Sequence, residues 1–280
     1  MTAVAPPAAP TPAADAARRV GFGHLLMTEW TKIRSVRSTL WTLIIFAVVS
    51  LGLTGLITWL NIRALNSGRT DARSPGIAAD PVNFILGTGL GLSQLAICVL
   101  GVLVITSEYS SGTIRASLLA MPRRYPMLIA KGLVFGALVF VIGEVVAFGS
   151  FFLGAAIVHS HFPVALSQPG VTRAVVGSGL YLTVLGLFAL AIGSLIRHTA
   201  GAITTVIGLV LVIFALTQLL PYSWGAHIHA YMPTVAGVLI TQDKAQAGQL
   251  LSPWQGFGVF CAWTALLLII GGYLLQRRDA

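Results

Sequence analysis

The sequence predicts an all-α, polytopic membrane protein: six transmembrane helices preceded by an amphipathic elbow helix. Three observations carry that expectation. Charged residues make up 9% of the 280-residue chain and apolar residues 56%, with a mean hydropathy of +0.88. A soluble domain carries about 25% charged residues. Six apolar runs are long enough, at about 1.5 Å per residue, to cross about 30 Å of hydrocarbon. The basic residues are also shared unequally between the loops that join those runs.

Taken in order, residues 1–20 open as MTAVAPPAAPTPAADAA. This Ala/Pro-rich stretch has no periodicity and is expected to be a disordered tail. It does not read as a signal peptide, because no basic start leads directly into an apolar core. Residues 21–39 read as an elbow helix at the membrane surface. Phe22, Leu26, Trp30, Ile33, Val36 and Leu40 recur every three or four residues and predict one apolar stripe. Glu29 and Arg37 interrupt it. Such a helix fits an interfacial anchor or an elbow that also touches a partner.

The remainder, 40–280, holds runs at 40–60, 84–106, 132–158, 174–195, 201–220 and 256–275. The third is the longest and must tilt or protrude. The outer loop 61–83 is polar, with Pro75-Gly76 and Asp80-Pro81, and reads as irregular. The outer loop 221–255 contains an apolar stretch at 234–240, too short to span, which reads as an interfacial or re-entrant helix. Its aromatic residues Tyr222, Trp224, Tyr231 and Trp254 suit a membrane–water boundary.

An even number of spans puts both termini on one side. Twelve Lys and Arg residues fall on that side and five on the other. The excess predicts that both termini lie in the cytoplasm; the expected location is the plasma membrane, as a multi-pass protein. The net charge of +9 is accounted for by loops facing anionic lipid heads. No basic soluble module is present to bind nucleic acid.

Few residues suggest chemistry. No GxxxxGK[ST] occurs, so the chain lacks the phosphate cradle of a P-loop ATPase. No convincing triad, carboxylate pair or nucleophilic cysteine stands out, and Cys98 and Cys261 read as buried apolar side chains. Glu144 lies mid-way along the third run. An acid there, costing about 2.5–3.5 kcal/mol at the bilayer centre, marks either a proton or cation site or a protonated acid bonded to a neighbouring helix. His159 with His161, and His227 with His229, could bind a metal only if the two pairs met; otherwise they are interfacial side chains, and no metal is expected. Gly87/Gly91 and Gly132/Gly136 have the spacing of close helix packing.

The polar segment between the second and third runs, 107–126, carries the strongest functional signal. Ser110 or Ser111 could cap a short helix. Ile114, Leu118 and Met121 then form one apolar edge flanked by Arg115, Arg123 and Arg124, and Pro122 ends it. Two or three turns are marginal alone, so the helix needs the membrane surface, with its arginines on lipid phosphate, or a docking groove. Gly112 allows a tight turn. Glu108, at the end of the second run, can pair with a nearby base.

The pattern Glu108-x-x-x-Gly112-Thr113 followed by Pro122, Arg124 and Lys131 resembles the loop of ABC-2-type ABC transporter permeases. The elbow helix with Glu29, Lys32 and Arg34 is similar to the start of the same family. The resemblance implies an ABC-2 (type V-like) architecture and a membrane subunit without an ATPase site of its own, so that no cofactor is expected beyond ATP held by an ABC ATPase subunit. It implies pairing with a second permease subunit, as homo- or heterodimer, in contact with membrane lipids. Glu108, Gly112, Thr113, Ile114, Arg115, Leu118, Met121, Arg123 and Arg124 would then couple to the ATPase, and the cargo would be an exported lipid, drug or other amphiphile. A proton-coupled transporter using Glu144, or a metal-handling protein using the outer histidines, are the alternatives.

Overall fold

The computed structural model describes residues 21–67, 74–112, 124–217, 222–246 and 248–277. Among them every regular element is helical. The elbow helix α1 (Phe22–Ser35) is followed by α2 (Arg37–Asn66), the short α3 (Ser74–Ala79), α4 (Pro81–Ser110), α5 (Arg124–Val158) and α6 (Val171–Ile196). Then come α7 (Thr199–Ile207), a π-helical segment (Gly208–Ile213), α8 (Phe214–Thr217), α9 (Tyr222–Ala230), α10 (Pro233–Val238), a 3₁₀ turn (Leu239–Thr241) and α11 (Pro253–Arg277).

Five helices, α2, α4, α5, α6 and α11, are long and apolar enough to cross a membrane. The remaining predicted span, 201–220, is a continuous helical stretch with a π register in its middle: α7, the π segment and α8 follow one another without a gap, and 218–221 lie outside the described residues. Val206, Ile207, Val210, Val212 and Ile213 crowd the preceding turn of an α-helix, and Gly208 adds backbone freedom. A widened i→i+5 register relieves that crowding.

Other boundaries differ from expectation. The elbow stops at Ser35 rather than 39, because Val36 is extended (φ −85°, ψ 106°) and turns the chain into α2. The third span starts within a helix of 35 residues that begins at Arg124, eight residues before the apolar run. The loop expected to be irregular at 61–83 is largely helical: α2 runs on to Asn66, and α3 precedes α4. Asp80 caps α4, its Oδ1 accepting the Asn83 N–H at 3.0 Å, with Pro81 in the first turn.

The centre of the bundle is α6. It is buried over 78% of its apolar window, against 22% for α2, and it packs on α4, α5 and α11. Close approach needs glycine where α4 crosses α6: a Cβ on Gly101 of α4 would strike the Gly186 carbonyl of α6. The spacings singled out in the sequence contribute less. Gly87 and Gly91 face open space, and Gly132 and Gly136 make only ordinary contacts with Leu187.

In lipid, apolar side chains gain little from facing inward, and helix pairs are held by packing and by hydrogen bonds. Helix α2 follows that rule. It exposes Leu40, Trp41, Ile44, Ile45 and Val48 and buries Thr39, Ser50, Thr54, Thr58 and Asn61. Ser50 Oγ donates to the Gly89 carbonyl of α4 at 3.0 Å.

The stretch 234–240 folds as the short helix α10 and the 3₁₀ turn and packs into the bundle. Thr234, Val235, Ala236, Gly237 and Ile240 are buried, with α10 against α11 and the 3₁₀ turn against α6. Backbone at that depth is tolerated because protein, not lipid, surrounds it. Gly237 lies against the Phe260 ring, and Trp263 Nε1 donates to the Tyr231 carbonyl at 3.2 Å.

Candidate functional site: a buried ring of four charges

Helix α1 shows why Glu29 interrupts the apolar stripe. The buried residues of α1 are Glu29 and Ile33, while Phe22, Trp30 and Val36 are exposed. The buried face is therefore rotated from the predicted stripe, and Glu29 lies on it. A carboxylate held that far from water requires cations and donors.

Two lysines supply them. Glu29 Oε2 accepts from Lys131 Nζ at 2.6 Å, and Glu29 Oε1 accepts from Lys32 Nζ at 2.8 Å. Glu108 Oε1 accepts from both, at 2.9 Å from Lys131 and 3.0 Å from Lys32. The contacts close a ring, Lys32–Glu29–Lys131–Glu108, with no net charge. Lys131 is 2% exposed, Glu29 3% and Glu108 7%. Such pairs are shorter and stronger than neutral hydrogen bonds, and removing one member of a buried set leaves an uncompensated charge that costs about 3–5 kcal/mol.

The four corners come from three helices. Glu29 and Lys32 sit one helical turn apart on α1, Glu108 lies in the last turn of α4, and Lys131 lies in the second turn of α5. Helices α4 and α5 are the two that flank loop 113–123, so the ring joins the elbow to both ends of that loop. Lys32 is the most exposed member, at 36% of its side chain. Burial pulls its pKa down, but hydrogen bonds and charge from Glu29 and Glu108 outweigh that and hold it above the usual lysine value. Beside Lys32 a cleft of about 410 Å³ opens between α1, α2 and α4, floored by Ile33, Val36, Leu100, Leu103 and Val104.

A second contact ties the same end of α4 to the other half of the bundle. Arg197, in the left-handed conformation (φ 60°) at the α6–α7 turn, lays its guanidinium 5.1 Å over the Tyr109 ring. Its Nη2 donates to the Leu274 carbonyl of α11 at 3.5 Å.

The predicted site residues divide into three groups. Glu29, Lys32 and Glu108 meet in the ring, whereas Arg34 is exposed and stands outside it. Ser110 and Ser111 do not begin a new helix. Ser110 ends α4, Ser111 caps its C-terminus, and both hydroxyls donate to the Ser107 carbonyl, at 3.1 and 2.8 Å. Gly112 follows with φ 70°, the left-handed turn that glycine favours after a helix. Thr113, Ile114, Arg115, Leu118, Met121 and Arg123 lie outside the described residues, as does the side chain of Arg124.

Lys131 was missed as a site residue, although the sequence held the signal. One lysine beside an apolar run and one glutamate on an apolar stripe are each costly alone, and together they form a pair.

Glu144 stands apart from the ring. It faces α6 at Gly179, where a Cβ would collide with its carboxyl, and neither oxygen has a hydrogen-bond partner among the described residues. The histidine pairs do not assemble a metal site. His161 bonds to Asn66 Oδ1 at 2.8 Å, and no group of three or more His, Cys, Asp or Glu residues fit to hold a metal forms among the described residues.

A family model described as ABC-2 family transporter protein matches residues 25–280. No curated relative matches the chain.

Proposed function

Since the chain belongs to the ABC-2 family of transporter proteins and is thereby the multi-pass membrane permease of an ABC transporter, we propose that the four-charge ring is its transmission element. A separate ATPase subunit docks on loop 107–126. Its ATP-driven movement is handed through the ring to the elbow, α4 and α5 together. The cargo is a lipid, drug or other amphiphile moved outward. Both termini and the ring lie on the cytoplasmic side of the plasma membrane, and a second permease subunit completes the pathway.

The observation that carries this reading is the position of the ring. Glu108 stands three residues before Ser111, where α4 is capped, and Lys131 stands seven residues after α5 begins. A push on the segment between them reaches two spans and the elbow through one set of ion pairs. The ring is packed by α5 on one side and opens to the cleft on the other, so α1 has room to shift. That is the physical minimum for a two-state element biased by a ligand.

The test is co-expression with a candidate ABC ATPase subunit from the same organism. Ile114→Asp should abolish complex formation and ATP-dependent transport. Lys131→Gln should keep the complex while lowering transport per ATP hydrolysed. Unchanged transport in both variants overturns the assignment.

A further inference from the structure

The cleft beside the ring has two chemical surfaces that the ring itself does not use. Its floor is apolar, built from Ile33, Leu100, Leu103 and Val104, and its rim carries the exposed hydroxyls of Ser35, Ser38 and Ser107. At about 410 Å³ it falls in the range of about 300–1,000 Å³ typical of small-ligand sites. Val36 at its edge is exposed, and the adjoining turns of α2 present Leu40, Trp41 and Ile44 outward. A surface of that composition on a membrane span is covered by lipid.

Two further observations define what fits the cleft. Glu108 borders it and is 7% exposed, yet only its Oε1 accepts from the two lysines. Its Oε2 is buried without a hydrogen-bond partner among the described residues. A buried carboxylate oxygen calls for a donor. The second observation is an excess of positive charge. Lys32 borders the cleft with 36% of its side chain exposed. Arg34 and Arg37 alternate with the cleft residues Ile33, Ser35, Val36 and Ser38, and both are exposed with no ion pair among the described residues. Val36 also precedes α2 without supplying a side-chain cap, so amides of the first turn of this 30-residue helix take an acceptor from outside it.

We propose that the cleft binds one anionic glycerophospholipid whose headgroup carries a hydroxyl, with phosphatidylglycerol as the simplest case. Its phosphate lies against Lys32 and the first turn of α2, its headgroup hydroxyl donates to Glu108 Oε2, and an acyl chain covers Leu100, Leu103 and Val104. Phosphate at a helix N-terminus meets both the free amides and the positive end of the dipole. A choline headgroup fits less well, because it has no donor for Glu108 and its cation meets Arg34 and Arg37. The binding requires only that the chain lie in a membrane. One consequence does rest on the transmission role proposed above: a lipid in the cleft occupies the space into which α1 would shift, and so restrains the elbow.

The test is native mass spectrometry of the full-length protein in detergent, titrated with phosphatidylglycerol, phosphatidylcholine and phosphatidylmethanol, the last being anionic without a headgroup hydroxyl. One phosphatidylglycerol per chain should bind about tenfold more tightly than phosphatidylcholine, and more tightly than phosphatidylmethanol. Leu103→Trp fills the floor. Ser38→Asp places a negative charge where phosphate would lie, yet suits the start of a helix, so its unfolding midpoint without lipid should equal or exceed that of the wild type. Each variant should weaken phosphatidylglycerol binding by about tenfold or more, the loss expected for a hydrogen bond to a charged group. Equal affinity for the three lipids overturns the proposal, as does phosphatidylglycerol binding that survives both variants. A dimer that forms without lipid and dissociates in Leu103→Trp makes the cleft an interface between copies of this chain, and also overturns it.

Discussion

Lys131 Nζ lies 2.6 Å from Glu29 Oε2, across 102 residues of sequence. The contact joins the elbow helix to the third span at a depth where neither charge reaches water. It is the shortest of the four ion pairs in the ring, and its loss exposes how the ring is built.

Lys131→Met is expected to destabilise the protein by about 3–5 kcal/mol, because two buried carboxylates then share only Lys32. Glu29→Leu combined with Lys131→Met should recover part of that loss, since removing both charges leaves no unpaired ion. A double-mutant cycle from denaturant unfolding in detergent measures the coupling. Strictly additive effects would show that the two residues do not act as a pair.

Lys32 should matter less. Its side chain is 36% exposed, and both of its partners keep Lys131, so Lys32→Met is expected to cost about 1 kcal/mol or less after solvent screening. Its pKa is raised from the ordinary 10.5. Its contribution is therefore fully present below that value and lost only as pH rises through the still higher folded pKa. The difference between wild type and Lys32→Met should stay constant from neutral to mildly alkaline pH, and a change within that window would contradict the geometry.

Glycine substitutions should separate backbone contacts from chance spacing. Gly101→Val places a side chain against the Gly186 carbonyl and is expected to cost about 1–3 kcal/mol or more by overpacking. Gly87→Ala meets open space and should be neutral or stabilising by up to about 1 kcal/mol. Melting temperatures of the two variants in one detergent make the comparison.

Glu144→Gln tests the proton-coupled alternative. Neither carboxyl oxygen has a partner among the described residues, so the amide should fold and leave ATP-dependent transport intact. Transport that continues without an ATPase, collapses with the proton gradient and disappears in Glu144→Gln would replace the ABC reading with a proton-driven one.

Much of the architecture was legible in the sequence because lipid imposes a simple rule. A span must satisfy its backbone internally and present apolar side chains along about 20 residues, and both demands leave a pattern in hydropathy. The π register within 199–217 escaped because a π segment and an α-helix share the same apolar composition. The bend at Val36 escaped because the stripe continues across it. Periodicity reports which residues are apolar, not which face meets protein, and in α1 the two differ by the rotation that buries Glu29.

The candidate site was half legible. Composition, the missing phosphate cradle and the Glu108–Gly112 pattern by themselves pointed to the class of protein and led to the end of the bundle where the ring lies. Which charges meet was decided only by tertiary structure. Glu29, Glu108 and Lys131 are each an anomaly against local pattern, and electrostatic pairing depends on distances of about 3 Å that only the crossing of α1, α4 and α5 sets.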